Sequence, residues 1–216
     1  MEGDDGAITH WAAWHRDYSD PASPLSQRLG VVVSRTRDAL DALPPGPVRL
    51  ISSCAGQGHD VLTALQDHPR SSDVVGRLVE ADPHNAATSR QALHSAGLAA
   101  VESVCGDAAL TDAYVGIAPA DLVLLCGIFG NVSDEDVRTT VTNASMLCAP
   151  GAYVIWTRHR RAPDLTPRIR EWFEDSGYEE VAFDSPGPEM WSVGTHRLAS
   201  QPLPLRRGIR LFAFTR

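Results

Sequence analysis

The chain has 216 residues, enough for one domain with a full core and too few for two comfortable ones. Its hydrophobic fraction of 43% and charged fraction of 21% are those of a globular protein, and no run approaches the ~18 apolar residues that a membrane helix needs. A formal net charge of −8 repels phosphate backbones and sets nucleic acid aside as a substrate.

The first ten residues are acidic, without the basic stretch and apolar run of a secretory signal. The four cysteines, Cys54, Cys105, Cys126 and Cys148, are dispersed and form no CxxC pair, so neither a zinc site nor a disulfide frame is expected. A cytoplasmic protein fits both features.

In chain order, the segment 8–18 places Trp11, Trp14, His15 and Tyr18 on one face of a helix, at i, i+3, i+4 and i+7. Asp20-Pro21 and Pro24 break it. A second helix is expected over 25–43, stopped by Pro44-Pro45-Gly46-Pro47. Val48–Ser53 reads as a short buried strand that enters the turn Cys54-Ala55-Gly56-Gln57-Gly58. A helix over 59–66, a strand over Val74–Glu80 and a helix from Pro83 to near Gly97 follow, then a strand over Val101–Cys105. Residues 121–126 are apolar enough for a strand buried on both faces.

Ser133 caps the next helix, with Asp134, Glu135 and Asp136 in the first turn where the helix dipole favours anions. A fifth strand over 153–156 precedes a helix that opens at Thr166-Pro167 and stops at Gly177. Residues 181–183 and 209–214 read as two further strands joined by a Pro/Gly-rich excursion. Five β-α units in succession demand a mostly parallel, doubly wound sheet with helices on both faces, and the last two strands form an antiparallel edge. The reading is one α/β domain over 1–216, with 1–46 as a helical extension or lid and 47–216 as the core.

In such a sheet, ligands bind beyond the carboxyl ends of the strands, where strand order reverses. Gly56 and Gly58 let the backbone turn sharply there and leave amides bare for a ligand. Glu80 closes the second strand, where a carboxylate accepts both hydroxyls of a ribose. Asp107 follows the third strand, where an acceptor takes an adenine amino group. Three polar anchors at three successive strand ends point to one adenosine-containing ligand.

On these residues the chain resembles the Rossmann-like (class I) methyltransferase superfamily, which uses S-adenosyl-L-methionine. Gly56-Gln57-Gly58 looks like its glycine motif, and Glu80-Ala81-Asp82-Pro83 like the second, ribose-binding motif. Cys105-Gly106-Asp107-Ala108 looks like the adenine motif, and 120–127 like the fourth strand, which ends at the methionine part of the cofactor. The resemblance implies strand order 3-2-1-4-5-7-6. It also implies cofactor contacts from Ser53, Cys54, Ala55, Gly56, Gly58, Glu80, Ala81, Asp107, Ala108, Cys126 and Gly127. Two positions depart: the acidic residue that opens the glycine motif is Ser52 here, and the first glycine is Cys54. Asp60 stands where it can supply the missing charge to the methionine ammonium, and Tyr18 where it can reach the cofactor carboxylate. A nicotinamide fold needs a third glycine three residues past the second, where this chain has Val61.

For the methyl acceptor, Cys126-Gly127-Ile128-Phe129-Gly130 lacks the Asn/Asp-Pro-Pro-aromatic motif of enzymes that methylate amino groups of nucleic acid or glutamine. A small molecule is expected. His159, just past the fifth strand, is either a general base or a loop histidine. Arg158, with Arg160 and Arg161, either holds an anionic group on the acceptor or is solvated. Asn131 takes the place after the fourth strand where related enzymes often carry a histidine. Trp11, Trp14 and His15 either pack the leading helix or wall the acceptor under a lid. Met190-Trp191 either completes the acceptor pocket or covers the sheet edge. A non-catalytic partner subunit of the same fold is the alternative from another class, and a different nucleoside-containing group donor would use the same site. No metal is expected.

Overall fold

Helix α1 (Pro24–Ala42) opens at Ser23, whose hydroxyl accepts the Ser26 N–H, with Pro24 in the first turn where a missing donor costs nothing. The computed structural model describes residue 20 and residues 22–215. Trp11, Trp14, His15 and Tyr18 therefore lie outside the described residues. After α1 come β1 (Val48–Ser53), α2 (His59–Leu65), β2 (Val74–Glu80), α3 (Pro83–Ser95), β3 (Val101–Cys105) and β4 (Ala120–Leu125). Then follow α4 (Asp134–Asn143), β5 (Cys148–His159), α5 (Thr166–Asp175), β6 (Tyr178–Asp184) and β7 (Trp191–Leu198).

The strands form one seven-stranded sheet in the order β3-β2-β1-β4-β5-β7-β6. All neighbours pair in parallel except β7, which is antiparallel to both β5 and β6. Neighbouring apolar residues along each central strand point to opposite faces, as a sheet covered on both sides requires. Leu50, Leu78, Leu122, Leu124 and Ile155 meet Val32 and Leu40 of α1, Val61 and Leu65 of α2, and Leu93 of α3. Ile51, Val79, Val123, Leu125, Val154 and Trp156 meet Val137 and Val141 of α4 and Ile169 and Phe173 of α5.

Arginines fix the lie of α1. Arg35 forks onto both carboxylate oxygens of Asp184, each at 2.8 Å, and ties the helix to the end of β6. Arg37 donates to the carbonyls of Thr63, Ala64 and Gln66, at the last turn of α2. The first turns of α1 therefore lie at the carboxyl rim of the sheet, beside the start of α2.

Three expectations are corrected. The seventh strand is Trp191–Leu198, not 209–214; Ser192, Thr195 and His196 make it look polar in sequence, yet all three are buried. It forms a hairpin with β6 through the short turn 185–190. The linker between β3 and β4 contains only a 3-10 turn, Thr111–Tyr114, so there are four β-α units rather than five. Residues 209–214 make contacts along that linker instead. They make single bridges, Leu110 to Arg210 and Val132 to Phe214, and bury Leu211 and Phe212 in the core on the α4 side. Finally, β5 is three times the expected length: it begins at Cys148, paired with Ala120 of β4, and β7 pairs with it as far as His159.

Gly194 in β7 faces the Trp156 ring so closely that an added Cβ would stand 2.2 Å from an indole carbon. Gly194→Ala is expected to destabilise the protein by about 1–3 kcal/mol through overpacking, read as a lower urea midpoint.

Candidate active site

The glycine turn leaves β1 with three residues at positive φ: Cys54 at 54°, Gly56 at 56° and Gly58 at 75°. Gly58 is demanded twice over, because a Cβ there would also stand 2.8 Å from Leu78 and from the Ser89 hydroxyl. Around Gly56 a Cβ would meet nothing within 4 Å, so the turn has an open side where a ligand can approach the backbone. Cys54 accepts the left-handed conformation without being glycine, at a cost of about 1–2 kcal/mol.

Glu80 secures this turn from the end of β2. Its Oε2 accepts the Gly56 N–H at 2.8 Å, and its Oε1 accepts the Asp82 N–H at 2.9 Å. An ionised carboxylate offers about four acceptor positions, so each oxygen keeps a lone pair for a ligand hydroxyl. At the next strand end, Asp107 accepts the Ala109 N–H at 2.9 Å through Oδ1 and pairs with Arg210 at 3.0 Å through Oδ2. Arg210 was not foreseen, since it arrives on the tail that sequence patterning took for a strand.

The thiol of Cys54 is pushed up to about 12, first by burial and then by the charges of Glu80 and Asp107. Glu80 and Asp107 stand at the ends of neighbouring strands on the same rim, where the Gly106 N–H donates to the Glu80 carbonyl at 2.9 Å. Beneath them, Tyr114 donates to the Ala108 carbonyl at 2.6 Å and so accepts from the Ser53 hydroxyl at 2.7 Å. Ser53 and Ala108 are buried in this brace, and burial raises the Tyr114 phenol. They hold the two ligand loops together from below. Ala81 stays exposed at the turn after β2, and its carbonyl accepts from the Cys105 thiol at 3.5 Å.

At the other end of the turn, Asp60 sits in the first turn of α2 and is only 9% exposed. Its Oδ1 accepts the neighbouring Val61 N–H at 2.8 Å. Burial lifts its carboxyl to about 6, opposed first by backbone hydrogen bonds from Val61 and from its own N–H, and least by the charge of Arg28. Cys126, at the end of β4, has its thiol raised by burial and then by Asp60, while Arg28 lowers it. Asp60 and Arg28 therefore both act on the end of β4. Arg28 went unnoticed in the sequence, although it precedes the buried Val32 and Thr36 at i+4 and i+8 on one face of α1.

Beyond β4, Gly127 takes a φ of 75° and donates to the Thr157 hydroxyl at 2.9 Å. Asn131 folds back to donate to the Gly127 carbonyl at 2.8 Å, which closes the loop after β4.

Strand alternation separates Arg158 from His159. Arg158 points to the α4 side, where it donates to the Phe129 carbonyl and lies 3.5 Å from Asp134. Desolvation lowers its pKa. It braces the loop after β4 and is not turned to an acceptor. Arg160 pairs with Asp164 at 2.9 Å, so the expected arginine cluster does not assemble as one anion site. His159 accepts the Arg161 N–H on Nδ1 at 3.3 Å, and its ring rests on Gly130, where a Cβ would stand 3.2 Å away.

Among the described residues no group of three or more His, Cys, Asp or Glu is placed to hold a metal, and no helix is long and apolar enough to cross a membrane.

No family model and no curated protein matches the sequence. Solved structures do match in shape. An O-methyltransferase family protein from Burkholderia thailandensis is 18% identical, with a TM-score of 0.60 over 86% of this chain and 62% of that one. The chain thus spans about three fifths of that protein's length. Fibrillarin from Aeropyrum pernix, with natively bound S-adenosyl-L-methionine, is 17% identical with a TM-score of 0.54 over 71% of this chain and 68% of its own. The chain has the class I methyltransferase fold. The cyclase SpnF shares that fold, at 14% identity and a TM-score of 0.57 over 79% of this chain and 82% of its own. A methyltransferase fold alone therefore does not fix the reaction, which must be argued from the side chains.

Proposed function

We propose that the protein binds S-adenosyl-L-methionine at the glycine turn and transfers its methyl group to a small molecule in the cytoplasm. One observation carries the reading: the Glu80 carboxylate holds the Gly56 N–H of the glycine turn, while its backbone carbonyl accepts the Gly106 N–H next to Asp107, so the three strand-end motifs adjoin. Glu80 is suited to hold the ribose hydroxyls, and Asp107, oriented by Arg210, to hold the adenine amino group. The ligand's backbone-facing side lies along Gly56, where nothing obstructs it. The residues at the amino-acid end fit a zwitterion. Asp60 is a buried carboxylate that an ammonium would keep ionised, and Arg28 offers a cation to the carboxylate beside it.

S-adenosyl-L-methionine, when bound, supplies a methyl group activated on a sulfonium. The protein's part is then to hold that group in line with a nucleophile and keep water away. Cys126 and Gly127 bound this space at the end of β4, with Asn131 closing the loop and His159 beside it. The small-molecule acceptor is favoured by the negative charge of the chain and by the loop sequence after β4. All four cysteines are free thiols, in keeping with a reducing compartment.

Isothermal titration with S-adenosyl-L-methionine and S-adenosylhomocysteine tests the reading. Both are expected to bind in a single site; no heat at millimolar ligand sinks it. Binding with no turnover on any acceptor would assign the protein to the partner-subunit class instead.

A further inference from the structure

The C-terminal segment brings one charged side chain to the nucleoside end of the site. Gly208 turns at a φ of 72° and donates its N–H to Asp112 at 2.6 Å, which seats the segment over the 3-10 turn Thr111–Tyr114. The Thr111 hydroxyl donates to the Arg206 carbonyl at 2.7 Å and accepts the Ile209 N–H at 3.1 Å. Backbone bonds then pin both neighbours of Arg210 to the chain after β3. The Thr111 N–H donates to the Ile209 carbonyl at 3.0 Å, and the Leu211 N–H to the Ala109 carbonyl at 2.8 Å. Ile209 and Leu211 pack inward on the core, so alternation turns Arg210 outward, where about half of its side chain (51%) is exposed.

The guanidinium reaches Asp107 through one nitrogen. Its Nη2 stands 3.0 Å from Oδ2, and Nε and Nη1 have no hydrogen-bond partner among the described residues. Arginine carries five N–H donors and no acceptor, so most of them stay open to a ligand. Asp107 is open as well, with its side chain 48% exposed. A ligand group bonded to Oδ2 lies within roughly 6 Å of Nη2, two hydrogen bonds end to end. In adenine the amino group is a donor and the ring nitrogens beside it, N1 and N7, are acceptors. A base whose amino group meets this oxygen therefore brings a ring acceptor close to the guanidinium.

We propose that Arg210 reads the base directly, donating to a ring nitrogen of adenine beside the amino group that Asp107 accepts. The inference rests on the methyltransferase reading above and adds to it a base contact from the C-terminal segment. Carboxylate and guanidinium side by side offer one acceptor and one donor, the complement of an amino-substituted purine edge. Were Arg210 only to orient Asp107, the ring nitrogens would carry no weight that depends on residue 210.

The test is calorimetry on the full-length protein and on Arg210→Ala, with S-adenosylhomocysteine and its 1-deaza and 7-deaza analogues, in which N1 or N7 is a carbon. The substitution removes a half-exposed side chain and no backbone bond, so the variant is expected to stay folded. It should bind S-adenosylhomocysteine about tenfold more weakly. At least one analogue is expected to bind the wild type about tenfold more weakly than the parent, and that gap should close to within twofold in Arg210→Ala. Gaps that the substitution leaves unchanged, or a wild type that binds all three ligands equally, overturn the inference while leaving the cofactor site standing. If S-adenosylhomocysteine fails to bind the wild type, both fall.

Discussion

Glu80→Ala is expected to weaken S-adenosylhomocysteine binding about 100-fold, because two charge-assisted hydrogen bonds to ribose hydroxyls are lost together, each worth about 1.5–3 kcal/mol and not fully additive. The same carboxylate holds the Gly56 and Asp82 amides, so the turn that receives the ligand loosens as well. The variant is expected to lose about 1–2 kcal/mol of stability from the two amides left without acceptors. Glu80→Gln separates the two effects. It keeps neutral acceptor oxygen on one arm and should fall about tenfold in affinity. Calorimetry gives both affinities and urea unfolding gives both stabilities. An alanine variant that binds like wild type would remove Glu80 from the ribose.

Asp60→Asn is expected to move stability and affinity in opposite directions. Asp60 is buried and its carboxyl is lifted from 3.8 to about 6, so holding it ionised in the empty protein is unfavourable. The folded-state value lies above the unfolded one. The native state therefore binds more protons between these two values, and the wild type loses stability as pH rises through them. Asparagine has no such titration. Its advantage should vanish below about pH 3 and be complete above pH 7, at up to about 3 kcal/mol for a shift of about two units. Over the same range the variant should bind S-adenosylhomocysteine about tenfold more weakly, because a neutral amide replaces the partner of the ammonium. Urea unfolding at pH 4.5 and 8 checks the first part. A variant no more stable at pH 8 than at pH 4.5, relative to wild type, would show that the buried charge is already compensated within the protein. A stability cost retained for ligand binding is a common feature of functional sites.

The strands Val74–Glu80 and Val101–Cys105 were legible to the residue, since each is a short apolar run bounded by turn chemistry. The glycine turn and the two carboxylates were legible because a parallel sheet puts every strand end on one rim. Strand β7 was hidden because its residues on the face of Trp156 and α5 are Ser192, Gly194 and His196, and Thr195 is buried on the other face, so the burial of all four is not announced by their own hydropathy. The tail at 209–214 looks like a strand for the converse reason: Leu211 and Phe212 are core residues, but they fill a place beside the β3–β4 linker that a helix often occupies. Arg210 and Arg28 reach the site from segments distant in sequence, and no local spacing ties either to Asp107 or Asp60. The fate of Arg158 turned on one step of strand alternation, which periodicity over a four-residue expected strand cannot register.

The most direct measurement is a crystal structure of the protein with S-adenosylhomocysteine. The ribose hydroxyls are expected within hydrogen-bond distance of Glu80, the adenine amino group at Asp107, and the amino-acid end between Asp60 and Arg28. A ligand seated elsewhere, or one that leaves both Glu80 and Asp107 untouched, would contradict the account at its base.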